Sequence, residues 1–288
     1  MAVSLAHKFG QIIGDLLELG IEPHLTKFAN DNKLFLDKHG IRKARPGKKV
    51  TWIDNKGNKH DLDFVLEREG NETKIGIPVA FIESAWRRYT KHSRNKAQEI
   101  QSAIIPLKER YKNSSPFIGV ILAGVFTDGA LKQLESLGFG VLYFPYDTVI
   151  AAFRKFDIDA GFTERTPERE FKSKIREWNK LRNKDDVAKE LFALNKKGVD
   201  AFFDSLKKSV VRLIERVVIF PLHGQESIVN SINEAMNFLK NYSEDIKTFP
   251  LIRFEIIILY NTGDKIEATF KNKVDALDFL QTYLPVKA

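Results

Sequence analysis

Asp63 and Glu83 are the two residues of this chain placed to do chemistry. Asp63 sits on one predicted strand, and Glu83 ends the next. The following stretch holds no acid until Glu99 but carries Arg87, Arg88, Lys91, Arg94 and Lys96. Carboxylates at neighbouring strand ends can hold a hard divalent cation. Mg²⁺ is usually bound by one or two carboxylates, completed by waters and substrate phosphate. Such an ion acidifies a water and neutralises charge on a scissile phosphate, while the basic run can hold a polyanion. The chemistry implied is metal-dependent hydrolysis of a phosphodiester backbone. Asp61 shares a strand face with Asp63 and is the alternative ligand. Arg87, Arg88, Lys91 and Arg94 are the expected DNA contacts, with His92 beside them and Trp86 and Tyr89 able to pack on sugar or base.

Charge distribution agrees with that reading. The formal net charge is +8, and a basic excess suits a polyphosphate partner. Two bursts, 41–49 (IRKARPGKK) and 86–96 (WRRYTKHSRNK), flank the acid pair, as expected of a nucleic-acid surface. The absence of cysteine excludes disulfides and thiolate metal sites. The six histidines have no paired metal-ligand spacing. No GxSxG elbow occurs, and the glycines of GVILAGVFTDG lack a phosphate-loop lysine. The longest apolar run, near 256–260, is strand-sized rather than membrane-sized. A soluble, cytoplasmic protein is expected.

The elements that must position these residues follow from periodicity. Apolar residues at helical spacing predict a helix over 5–19 and a second over 25–38. From Lys49 the period shortens to two: VTWID, the turn NKGN, and KHDLDFVLE read as a hairpin. TKIGIPVAFIESA adds a central strand and completes a three-stranded meander, with Pro78 implying a bulge. Ser93 is the expected N-cap of a helix to about Tyr111, kinked or ended early by Pro106. SPFIGVILAGVF reads as a buried parallel strand, DGALKQLESLGF as a helix, and GVLYFPYDTVIAAF as a strand and helix start. The order predicts an α/β fold, a mixed central sheet with helices on both faces. A boundary near 161–167 divides the chain into 1–163 and a smaller α+β part, 164–288. There Thr166 is the expected N-cap and Pro167 the first helical residue.

This arrangement, with an acid on the second strand and another ending the third before a helix, resembles the PD-(D/E)XK nuclease superfamily, which includes many type II restriction endonucleases and Holliday-junction resolvases. The resemblance covers about residues 5–155. Asp63 takes the place of the first acid and Glu83 of the second. Leu62 stands where the motif has proline, and Ala85 where it has lysine. The resemblance implies a restriction-endonuclease-like fold, Mg²⁺ as cofactor, and an amine near the attacking water, for which Lys96 is the first candidate and Lys91 the second. It also brings Glu99, and Asp15 or Glu18 of the first helix, toward the site. The expected function is a Mg²⁺-dependent DNA endonuclease like a type II restriction enzyme, acting as a homodimer, with 164–288 serving dimerisation or sequence readout. Two alternatives stand beside it: a nuclease-fold protein that binds DNA without cutting, and a structure-specific nuclease of the repair or resolvase kind.

Overall fold

The computed structural model describes residues 4–284, apart from 212, 223, 244–249 and 262–264. His223 and most of the expected NTGD turn therefore lie outside the described residues. The chain divides into two compact units, 1–210 and 211–288.

The first unit is a mixed sheet between helical layers. Its elements are α1 (Leu5–Asp31), β1 (Leu34–Lys38), β2 (Val50–Ile53), β3 (Lys59–Leu62), β4 (Phe64–Arg68), β5 (Ile77–Arg87), α2 (Thr90–Arg110), β6 (Phe117–Gly124), α3 (Asp128–Ser136), β7 (Phe139–Pro145), α4 (Tyr146–Arg154), α5 (Glu168–Lys180), α6 (Asp185–Leu194) and α7 (Lys196–Val210). Five strands lie in the order β1-β4-β5-β6-β7. β1, β4 and β5 run antiparallel, and β6 and β7 continue parallel to β5. Alternation of side chains sorts the strands' apolar residues into two cores. Ala80, Ile82 and Trp86 join α1 and α4 to α7 on one face, while Phe81, Ala85, Val120 and Leu122 join α2, α3 and the β2–β3 hairpin on the other. The expected mixed sheet with helices on both faces is what the chain forms.

Several local expectations change. The segment 25–38 is not a second helix: α1 runs through Pro23 to Asp31, and 34–38 is the edge strand β1. Pro23 is exposed, so the carbonyl its missing N–H leaves unpaired can be hydrated. The apolar period switches from helical to two at Leu34 and Leu36, which pack against the α1 core. The meander is also interrupted. β2 and β3 form a separate two-stranded sheet, and the chain bends at Asp63 before β4 enters the central one. The Pro78 irregularity is present, with the β4–β5 register shifting between Leu66 and Glu67, opposite Pro78.

α2 starts three residues before Ser93, and Ser93 Oγ donates to the Thr90 carbonyl from inside the first turn. A hydroxyl that bonds backward along a helix is satisfied without capping it. Pro106 neither ends nor shortens α2, which continues to Arg110. Thr166 is likewise not the cap of α5, which begins at Glu168 after Pro167.

The break between units falls at 210/211, later than the 163/164 boundary read from the sequence. α5, α6 and α7 bury Phe171, Trp178, Leu191, Phe192 and Phe202 in the α1 core. Gly20 of α1 admits Phe192 so closely that a Cβ there would sit 2.3 Å from its ring. These helices complete the first unit's hydrophobic layer.

The second unit contains β8 (Ile214–Pro221), β9 (Ser227–Val229), α8 (Ile232–Asn241), β10 (Phe254–Tyr260), β11 (Lys265–Phe270) and α9 (Lys273–Gln281). Its antiparallel sheet has the order β11-β10-β8-β9. The alternating buried residues Phe254, Ile256, Ile258 and Tyr260 pack with α8 and α9. Among the described residues of the chain, no helix is long and apolar enough to cross a membrane.

Candidate functional site

The acids meet where β4 ends and β5 continues alone. Phe64 and Ile82 form the last pair of the β4–β5 ladder. One step beyond, Asp63 lies opposite the β5 segment that carries Glu83 and Ser84. Asp63 Oδ2 accepts from the Ser84 backbone N–H at 2.7 Å and from Ser84 Oγ at 2.8 Å. The Asp63 backbone N–H in turn favours the charged form of Glu83. Each residue thus uses a side chain to satisfy the other strand where the backbone ladder has stopped.

Glu83 does not end its strand as expected, since β5 extends four residues further, to Arg87. The extension is supported by β6, whose last residue pairs with Arg87. Gly124 makes that possible. Its φ is +103°, and a Cβ there would lie 2.1 Å from the Arg87 carbonyl. A glycine tolerates both the close approach and the positive φ.

A cleft of about 970 Å³ opens beside this junction. Asp15 and Glu18 of α1, Ser84 of β5, and Lys96 and Glu99 of α2 all line it. Asp63 and Glu83 are set back from the lining, next to Ser84, and Glu83 is 8% exposed. Burial, followed by the charge of Asp63, raises the Glu83 carboxyl to about 8, with Lys96 pulling the other way. Glu18 is pushed up to about 7 by burial, then by Asp63 and Asp15, while a hydrogen bond with Ser84 lowers it. Burial also raises Asp15. Carboxyl groups from α1, the β3–β4 bend and β5 therefore share one region of excess negative charge.

That donor chemistry fits a hard cation. Among the described residues, no group of three or more His, Cys, Asp or Glu side chains is gathered closely enough to enclose one. Mg²⁺ does not need such a cage, because one or two carboxylates suffice when waters and phosphate oxygens complete the shell. Asp63 and Glu83 could supply them, with Asp15 and Glu18 in the same region of charge.

The basic residues divide. Lys96 is held in the cleft wall, its side chain 15% exposed and its Nζ 2.9 Å from Glu99. Lys91 and Arg94 instead line a separate depression with Thr90, Asn95 and Thr127. Lys91 is thus not among the residues lining the cleft. Arg87 lines the cleft, with its guanidinium donating to the Trp86 carbonyl at 2.8 Å. Arg88 also reaches the lining, with part of its guanidinium engaged. Nε and Nη2 both bond the Phe162 carbonyl, and the guanidinium lies 4.1 Å from the centre of the Tyr146 ring. It fastens the 162 segment to the sheet end, so part of the expected phosphate grip serves the fold. Trp86 is a core residue packed on Tyr146. Tyr89 and His92 line the cleft. Asp61 turns to Lys49 and Thr51, each at 2.6 Å, and is no alternative to Asp63.

The two arginines of the 41–49 burst are structural, while its three lysines are exposed. Arg42 is buried, paired with Glu67 at 2.6 Å and Asp37 at 2.9 Å, and it also bonds the carbonyls of Asn71 and Lys74. Arg45 adds a second bond to Asp37. Removing one partner of a buried ion network leaves the others charged and desolvated. Arg42→Ala is accordingly expected to cost about 3 kcal/mol or more of stability. Urea unfolding of that variant beside Lys43→Ala, an exposed neighbour, checks the estimate; equal midpoints would contradict it.

No family model matches this chain. No curated protein matches it either. Among solved structures, a crystal structure of a protein of unknown function, AF1548, aligns over 67% of this chain and 97% of its own, at 12% identity and a TM-score of 0.30. A likeness of that size says nothing of fold family or activity.

Two features escaped the sequence reading. Ser84 lies between Glu83 and Ala85, and no pattern distinguishes it from any strand serine. Phe171 lines the cleft from beyond the expected domain boundary. Helical spacing marked Phe171 as apolar, without indicating which core it joins.

Proposed function

We propose that this chain is a Mg²⁺-dependent nuclease that hydrolyses phosphodiester bonds in DNA, with the restriction-endonuclease-like fold that its acid placement resembles. The observation that carries this reading is the junction of Asp63 and Glu83 beside a cleft whose wall holds Lys96. Asp63 and Glu83 are the residues that would hold the ion. A bound Mg²⁺ supplies charge neutralisation at the scissile phosphate and a water acidic enough to attack near neutral pH. Lys96 stands where its amine can donate to a phosphate oxygen, in a partly desolvated wall where such a donor is worth most. Alternation puts Glu83 and Ala85 on the same face of β5. Lys96 approaches that face from α2 and lowers the Glu83 pKa, which supports it in the role of the motif's missing lysine. Arg87 is the remaining strand-end cation for a flanking phosphate. Cutting both strands of a duplex calls for two such sites, which makes a homodimer part of the proposal.

The Ala85 departure favours one second reading, a DNA-binding protein that has lost cleavage. Incubation of unmethylated plasmid and of branched and single-stranded DNA with Mg²⁺, beside EDTA and Asp63→Ala controls, separates them. Cleavage that needs both the ion and Asp63 is the expected result. Salt-sensitive binding with no cleavage of any substrate would leave the second reading.

A further inference from the structure

We infer that Ser84 is a positioning residue that sets the cation-binding geometry of Asp63. The inference rests on the metal-binding part of the function proposed above. Ser84 follows Glu83 on β5, so its side chain points to the opposite face of the sheet from that of Glu83. It faces α1, where Asp15 and Glu18 line the cleft. Both donors of Ser84, its backbone N–H and its hydroxyl, converge on one oxygen of Asp63, at 2.7 and 2.8 Å. The N–H is available because the β4–β5 ladder has ended at Phe64 and Ile82. Two donors on Oδ2 fix the rotation of the carboxylate and leave Oδ1 as the oxygen free for a cation.

The residue acts through Asp63 rather than on the ion. Outer partners of this kind orient metal-binding carboxylates, and their loss costs on the order of tenfold or more in metal affinity. Ser84→Ala removes the hydroxyl and keeps the backbone donor, so the strand and its thermal midpoint should be preserved. Ser84→Thr keeps both donors.

The test is calorimetric titration of the full chain with Mn²⁺ alone, comparing wild type, Ser84→Ala, Ser84→Thr and Asp63→Asn. Binding should be lost in Asp63→Asn, weakened about tenfold or more in Ser84→Ala, and restored in Ser84→Thr. Wild-type affinity in Ser84→Ala, or equal weakness in Ser84→Thr, overturns the assignment. Absence of Mn²⁺ binding by the wild type overturns it together with the metal site itself. If the affinities fall as expected but no DNA is cut, the cleavage reading fails and the positioning role stands.

Discussion

Glu83→Gln should abolish metal-dependent cleavage while making the protein more stable above pH 8. Both effects come from the same cause. The Glu83 carboxyl is 8% exposed and titrates near 8, because burial and the neighbouring Asp63 disfavour its charge. Glu99 adds to that repulsion, and Lys96 relieves part of it. A carboxyl with a raised folded pKa binds its proton more tightly in the native state than in the unfolded one. Stability is then unaffected well below the ordinary glutamate range. It declines as pH rises from about 4.5 to about 8, and stays low beyond. The glutamine variant has no charge to desolvate at this position, so its advantage should grow through that window to a few kcal/mol, on the order of 3. Thermal midpoints of the two proteins from pH 5 to 9 in EDTA should meet at the acid end and separate at the alkaline end. Added Mg²⁺ should narrow the alkaline gap by stabilising the wild type alone. Cleavage by Glu83→Gln should fall by about 10³-fold or more, since a neutral amide cannot replace a carboxylate beside the ion. Parallel melting curves at every pH would contradict the assigned environment of Glu83.

A residue that weakens the fold where it stands is the kind of local conflict that sequence reasoning detects well. Asp63 and Glu83 stood out by their placement at predicted strand ends with a basic run behind them, since a pair of acids alone carries little signal. The layers were equally legible: the unbroken apolar run of β6 and the alternation in β10 follow directly from which strand faces are buried. Other features depended on contacts between distant segments. Arg42 and Arg45 look like solvated cations until Asp37 and Glu67 are folded against them. Arg88 looks free until the Phe162 carbonyl arrives from 74 residues away. The bend at Asp63 turns on β4 exchanging its hairpin partner for the central sheet, a choice of neighbour that period-two alternation does not encode. α5 to α7 have apolar faces that any core could cover, and Gly20 is what lets α1 be that core. The two acids were thus visible in the chain, while the contacts of Ser84 to Asp63 emerged only from the end of a ladder.

Replacing Lys96 by Met should lower cleavage by about 10² to 10³-fold while leaving Mn²⁺ binding at pH 8 undiminished. Lys96 and Glu99 lie one helical turn apart on α2, so their side chains share a face and pair at 2.9 Å. In the resting protein the ammonium is therefore parked on an exposed carboxylate at the rim, with Glu83 within its field. A substrate phosphate entering the cleft offers a second acceptor, and transfer of the amine from Glu99 to that phosphate costs little because Glu99 can return to water. Methionine preserves much of the aliphatic packing and removes only the charge. Loss of a positive charge near the carboxylates favours a bound cation electrostatically, which is why affinity should not fall with rate. A rate loss caused by general misfolding would instead weaken both. Lys91→Met is the matched control, since Lys91 lies in the separate depression on α2 and should change neither quantity by much. Glu99→Gln probes the parking contact from its other end. With the ammonium released toward the cleft, cleavage at low substrate concentration should rise. A Lys96→Met protein that cuts at the wild-type rate would place the required amine elsewhere, with Arg87 at the strand end the next residue to substitute.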